Sequence, residues 1–266
     1  MQKKKIIGIA LIIIIFIALV GTIIYVFTEL KEENDIRIQN IDTTDAKKFK
    51  SEYEELNGKE VSEGVYYRTL DINENNPIKY ITASDLVSKM DNKESFVVYF
   101  GFNSCPWCRM TLEALLKSAE KNNITTIYYV DIKNIRDTYE LDENNKPVCT
   151  TRGTDGYYQL LNKFDSVLSD YKPLEYETTK KVKNKTKTIK VKVDIDEKRI
   201  YAPNYVLVKN GKPILLTDSI PNSIDDPYKE LTEEDTNYFI NEFNKLFEQV
   251  RPSTTTGEVC SGTGNC

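Results

Sequence analysis

Residues 6–27 carry no charged side chain and are mostly Ile, Leu, Val, Phe and Ala. Coiled as a helix, a run of that length spans roughly 33 Å, enough to cross the hydrocarbon core of a bilayer. It is longer than the apolar core of a cleaved signal peptide and no A-x-A site closes it, so it reads as an uncleaved anchor. Lys3, Lys4 and Lys5 precede the run, and Glu29, Glu32 and Glu33 follow it. The positive-inside rule then puts residues 1–5 in the cytoplasm and the body of the chain outside. Residues 28–44 are polar and aperiodic, which suits a stalk.

Beyond the stalk the pattern turns into short periodic segments. A helix is expected over 45–56, stopped by Asn57-Gly58, then strands over 65–72 and 78–81 separated by the turn cluster 73–77. Thr82 with Asp85 signals the start of a short helix ending near Met90. Residues 95–102 (SFVVYFGF) are β-branched and aromatic throughout, as a strand buried on both faces would be. A helix over 109–122 with Leu112, Leu115, Leu116 and Ala119 on one face follows, then a second apolar strand over 124–132; strand, helix, strand implies a parallel pair with a right-handed crossover.

Residues 157–171 repeat apolar positions at helical spacing. In the lysine-dense run 180–192, Ile189, Val191, Val193 and Ile195 alternate with polar residues, the period of a lysine-guarded edge hairpin. Residues 205–208 and 213–217 flank Asn210-Gly211-Lys212 as a closing hairpin, and Thr232 with Asp235 opens a last helix that turns Phe239, Phe243, Leu246, Phe247 and Val250 inward. The tail 251–266 is rich in Thr, Ser and Gly and is expected to be flexible.

Charge and composition narrow the chemistry. Across 266 residues there are 36 Lys and Arg, 41 Asp and Glu and no histidine, for a net charge of −5. Three of those lysines precede the apolar run, so the body is more acidic still, which disfavours nucleic acid as a partner. Without imidazole there is no Ser-His-Asp or Cys-His nucleophile and no His-ligated metal. What remains is cysteine, carboxylate, lysine, tyrosine and hydroxyl chemistry.

Cys105-Pro106-Trp107-Cys108 falls where the buried strand ends and the following helix begins. Unpaired N–H groups and the positive end of the helix dipole stabilise a thiolate there, and Pro106 suits a first turn whose N–H groups lack partners anyway. Cys108, three positions on, can resolve a mixed disulfide formed by Cys105. A zinc site would need further cysteines or histidines, whereas the others are scattered at Cys149, Cys260 and Cys266. A purely structural bridge closing so small a loop would add little stability.

FVVYFGFNSCPWCR and YAPNYVLVKNGKPI together resemble the thioredoxin superfamily: the first is similar to its strand, active-site loop and helix start, the second to its cis-proline, hairpin and closing strand. The resemblance covers roughly residues 45–250. It implies an α/β, thioredoxin-like fold, a central mixed sheet flanked by helices, here carried on one N-terminal transmembrane helix. Cys105 and Pro203 lie 98 residues apart, so an insertion is expected at about 135–200. By position the resemblance makes Cys105 the nucleophile, Cys108 the resolving cysteine and Pro203 the cis-proline. Ala202 would offer its backbone to a bound peptide, and Pro106 and Trp107 would border it. Three residues depart from the family pattern: Tyr99 stands where a buried Asp is usual, Asn204 follows the proline in place of Thr, and Pro-Trp fills the dipeptide.

The implied activity is thiol–disulfide exchange on exported proteins, with a redox-active Cys105–Cys108 disulfide, no metal or organic cofactor, and a membrane electron donor or acceptor as second partner. Related enzymes span roughly −270 to −120 mV, so both electron directions stay open. The alternative is a non-catalytic binding module at the cell surface with the same groove and locked cysteines. Cys260 and Cys266 read as a small disulfide loop in the tail, or as a second dithiol that swings onto Cys105. Cys149 is expected to be a buried thiol.

Overall fold

The computed structural model describes residues 19–25, 43–182 and 185–250. The chain divides into two units, Met1–Thr43 and Thr44–Cys266. In the first, residues 19–25 are helical and exposed; the remainder of the expected anchor and nearly all of the stalk lie outside the described residues. Among the described residues no helix is long and apolar enough to cross a membrane.

The second unit is a mixed α/β structure. It begins with helix α1 (Thr44–Glu54), a small hairpin of β1 (Glu60–Ser62) and β2 (Val65–Tyr66), strand β3 (Ile78–Tyr80) and helix α2 (Ala83–Asp91). Strand β4 (Phe96–Gly101), helix α3 (Pro106–Lys121) and strand β5 (Ile127–Asp131) follow. Next come the hairpin of β6 (Thr138–Leu141) and β7 (Pro147–Thr151), helix α4 (Asp155–Phe164), β8 (Ser169–Asp170), the long hairpin of β9 (Leu174–Val182) and β10 (Lys185–Val193), and β11 (Lys198–Arg199). Strands β12 (Asn204–Lys209) and β13 (Lys212–Thr217) and helix α5 (Glu233–Glu248) complete the unit.

Five strands make the central sheet in the order β13-β12-β4-β5-β3. β3 and β4 run parallel to β5, and β12 runs antiparallel to both β4 and β13. β4 is buried along its whole length, and its pleat divides the core. Val97 and Tyr99 face α1, α3 and α5. Phe96, Val98 and Phe100 face α2 and α4. The apolar face of α5 enters the first layer through Phe239, Phe243, Leu246 and Phe247, and Thr232 closes a reciprocal capping box with Asp235.

Several elements differ from the sequence expectation. The strand expected over 65–72 is only Val65–Tyr66. After it the chain stays extended with Leu70 and Ile72 buried, but side chains take the ladder bonds: Asn57 Oδ1 accepts from Leu70 N at 3.0 Å and Glu54 Oε1 from Ile72 N at 2.7 Å. The helix expected over 157–171 ends at Phe164, whose carbonyl accepts from Val167 and Leu168 N–H before the chain enters β8. The lysine-dense hairpin is not an edge of the central sheet. β9 and β10 pair only with each other, and Ile189, Val191 and Val193 are half-buried. The segment expected as an insertion also supplies core: Tyr157, Leu160, Phe164 and Ile200 are fully buried in the second layer.

Candidate functional site

The site forms at the end of β4, where the chain leaves the sheet and α3 begins. Cys105 is the N-cap of α3 in extended conformation, and Pro106 occupies the first turn. The Cys105 sulfur accepts from Cys108 N–H at 3.2 Å, satisfying one of the unpaired donors at the helix start. The cap that a serine or threonine normally supplies is here the candidate nucleophile itself. Both cysteines are buried and unbridged.

The second arm comes from the loop before β12. The Ala202–Pro203 peptide is cis. Cys105 Sγ donates to the Ala202 carbonyl at 3.4 Å, so β4 and β12, neighbours in the sheet, deliver the thiol and this loop to one place. Asn204 braces the loop: its Oδ1 accepts from Tyr201 N–H at 2.8 Å and its Nδ2 donates to the Pro203 carbonyl at 3.0 Å. Beside this junction runs a groove of about 630 Å³ lined by Trp107, Ala202, Pro203, Leu216, Ile220 and Ile224 among others. A larger cavity of about 860 Å³, between Leu161, Tyr171 and Ile195, includes no cysteine.

The two thiols are electrostatically unlike. Burial by itself raises the Cys105 thiol, but hydrogen bonds from the Cys108 side chain and from backbone N–H groups, with the Arg136 charge, outweigh it and hold Cys105 below the ordinary thiol value. Burial pushes Cys108 well above that value, the neighbouring Cys105 adds to the rise, and a hydrogen bond with Tyr99 opposes it. A nucleophile that ionises readily therefore sits beside a partner that keeps its proton.

Under Cys108 lies a cluster of fully buried phenols, Tyr53, Tyr99, Tyr129 and Tyr205. Tyr53 and Tyr99 hydroxyls are 2.9 Å apart, Tyr53 and Tyr129 3.4 Å, and the Tyr205 hydroxyl bonds Thr111 of α3 at 2.8 Å. The Tyr99 and Tyr205 rings stack at 5.0 Å. Gly101 makes room for this arrangement, because a Cβ there would stand 2.6 Å from Tyr99 Cε2. Burial raises Tyr53, Tyr99 and Tyr205 well above the usual tyrosine value. Tyr99, read from the sequence as a departure from the family the chain resembles, thus belongs to a buried network of neutral hydroxyls.

Arg109, one residue past Cys108, is fully buried, and among the described residues its partners are neutral oxygens rather than a carboxylate. Its guanidinium donates to the carbonyls of Tyr53 (2.7 Å), Arg68 (2.5 Å) and Asn103 (3.3 Å) and to Asn57 Oδ1 (2.7 Å), tying α3 to the end of α1 and the chain beyond it. Two further cations reach the loop from the connection after β5: Lys133 Nζ donates to Ser104 Oγ at 3.1 Å, and Arg136 lies 5.2 Å over the Phe102 ring.

Cys105, Pro106, Trp107, Cys108, Ala202 and Pro203 thus converge. Cys149 does not join them: it is exposed on β7, not buried, with its sulfur donating to the Thr151 carbonyl at 3.2 Å. The hairpin of β6 and β7 pairs only with itself among the described strands, and β7 is exposed from Val148 to Thr151. Cys260 and Cys266 lie outside the described residues. Among the described residues no group of three or more His, Cys, Asp or Glu is placed to hold a metal ion. Arg109, Lys133, Arg136 and the tyrosine cluster were missed from sequence; Gly101, two residues after Tyr99 in a strand of bulky residues, is the signal that could have pointed to the cluster. No protein-family description matches the chain, and neither curated proteins nor solved structures yield a match.

Proposed function

We propose that this chain is a thioredoxin-like thiol–disulfide oxidoreductase acting on disulfides or dithiols of extracytoplasmic proteins, held to the membrane by residues 6–27. The observation that carries the reading is Cys105, a helix N-cap thiol 3.4 Å from the Ala202 carbonyl at the edge of a groove and held below its ordinary value, paired with Cys108 three residues on, whose value burial raises.

In the reductive direction the Cys105 thiolate attacks one sulfur of a client disulfide. A bond forms between Cys105 and that sulfur, and the other client sulfur leaves as a thiolate that takes a proton from water. Cys108 then gives up its proton and attacks Cys105 Sγ, releasing the second client thiolate. Two electrons pass to the client and the Cys105–Cys108 disulfide remains; the reverse sequence oxidises a client dithiol. Helix-end N–H groups stabilise Cys105 both as attacking and as departing thiolate.

The test is trapping. Reduced full-length Cys108→Ser, mixed with a disulfide-bonded peptide, should accumulate a mixed disulfide on Cys105, seen by intact mass, while Cys105→Ser accumulates none. If neither variant traps peptide, the chain is not an oxidoreductase of this kind. Redox titration of the wild-type pair then sets the direction: a potential near −270 mV marks an electron donor to clients and one near −120 mV an acceptor.

A further inference from the structure

Arg136 is set apart from the other described arginines. Arg68 donates to the Lys229 carbonyl, Arg109 to four acceptor groups, Arg152 pairs with Asp155 and Arg199 with Asp137. Arg136 is half-buried over the Phe102 ring and makes no hydrogen bond or ion pair among the described residues. Its guanidinium nitrogens are also absent from the buried, unpartnered polar atoms, so they reach solvent. The acids nearest in the chain are engaged elsewhere: Asp131 Oδ1 accepts from Lys133 N–H at 2.8 Å, and buried Asp137 pairs with Arg199 at 3.2 Å. A planar cation held against an aromatic face, with its donor edge open and no acceptor supplied among the described residues, is prepared for a carboxylate from outside.

Its location says what would bring that carboxylate. Phe102 directly follows β4 and opens the cysteine loop, and its carbonyl accepts from Cys105 N–H at 3.1 Å. Lys133, three residues before Arg136, holds Ser104 in the same loop. Two cations thus flank the nucleophile in a chain of net charge −5. Resting on the oxidoreductase reading, we propose that Arg136 is a specificity-determining residue that selects client segments carrying Asp or Glu beside the exchanging cysteine. Lys133 and Arg136 put positive charge on one side of the cysteine loop, whereas the groove on the Ala202 side carries Asp170, Asp218 and Asp225, so the preference belongs to the client residue that reaches Arg136.

Two peptides differing only in Glu or Gln next to one cysteine of an intramolecular disulfide provide the test with the reduced full-length protein. The Glu peptide should exchange about tenfold faster, the scale of one hydrogen-bonded charge. Arg136→Gln, which also removes a charge that holds the Cys105 thiol down, should slow both peptides but the Glu peptide more, bringing the ratio close to one, and Arg136→Lys should restore part of the ratio. A wild-type ratio near one overturns the proposal, as does Arg136→Gln slowing both peptides equally, which would confine Arg136 to stabilising the thiolate. Peptides with Ser for Cys separate this from the oxidoreductase reading. Trp107 is the single tryptophan, so its fluorescence reports binding without chemistry. If trapping fails but the Glu form still binds about tenfold tighter in an Arg136-dependent way, recognition stands and the exchange activity falls; equal binding of both forms removes the proposal.

Discussion

The hydroxyl oxygens of Tyr53 on α1 and Tyr99 on β4 lie 2.9 Å apart, and the Tyr99 hydroxyl opposes the rise that burial imposes on the Cys108 thiol. On the proposed function, Cys108 loses its proton late in the exchange cycle, and it is set against phenols that keep theirs. Tyr99 can steady a developing thiolate by donating, without carrying a charge of its own.

Tyr99→Phe keeps the ring and removes that donor. The Cys108 thiol should rise further, which alkylation of Cys108 against pH in a Cys105→Ser background would show as an inflection moved upward. Leaving Tyr53 with only its 3.4 Å contact to Tyr129 should also cost about 1–2 kcal/mol in urea unfolding. An unmoved inflection would mean that Tyr99 acts only as packing.

Gly101→Ala should destabilise by about 1–3 kcal/mol, because the new methyl overlaps the Tyr99 ring in a strand with no slack. The cost should shrink in a Tyr99→Leu background, where the ring is gone. A double-mutant cycle by denaturant unfolding reads that coupling directly.

Arg109→Met leaves the Tyr53, Arg68 and Asn103 carbonyls without their shared donor and should cost about 2–4 kcal/mol. Arg109→Lys should recover less than half of it, since one ammonium cannot span a guanidinium's divergent acceptors. A fall in the urea midpoint at unchanged slope is the expected signature.

Stability should decline steeply in alkali. Tyr53, Tyr99 and Tyr205 have native values raised well above normal, whereas an unfolded tyrosine titrates near 10. Their contribution is full below about pH 10 and is lost as pH climbs toward the raised native values, at about 1.4 kcal/mol per pH unit for each phenol. Urea midpoints between pH 8 and 11, with Tyr205→Phe flattening the slope, would check this.

Thiol labelling of the described cysteines should follow their surroundings. Exposed Cys149 should alkylate in the native protein while Cys108 stays protected, and Cys149→Ser should leave peptide exchange unchanged. Labelling of Cys105 should inflect below the ordinary thiol value of about 8.5 and shift upward in Cys108→Ala, which removes one of the hydrogen bonds that lower it.

The elements around the site are legible in the residues because their signals are local. An apolar run such as β4, an amphipathic period such as α5, a Thr-Asp box, and a Cys-Pro-Trp-Cys placed between strand and helix each depend on a few neighbours in the chain. The same locality explains the errors. Nothing near 65–72 reveals that Asn57 and Glu54 take the bonds a strand would need, and nothing near Cys149 tells whether a layer covers it. Only the tertiary structure decides that Tyr53 meets Tyr99, that Arg109 reaches back to α1, and that Arg136 stands at the cysteine loop with its donors open. Those contacts join segments separated by tens of residues, and their energy depends on which groups packing brings together and leaves without water.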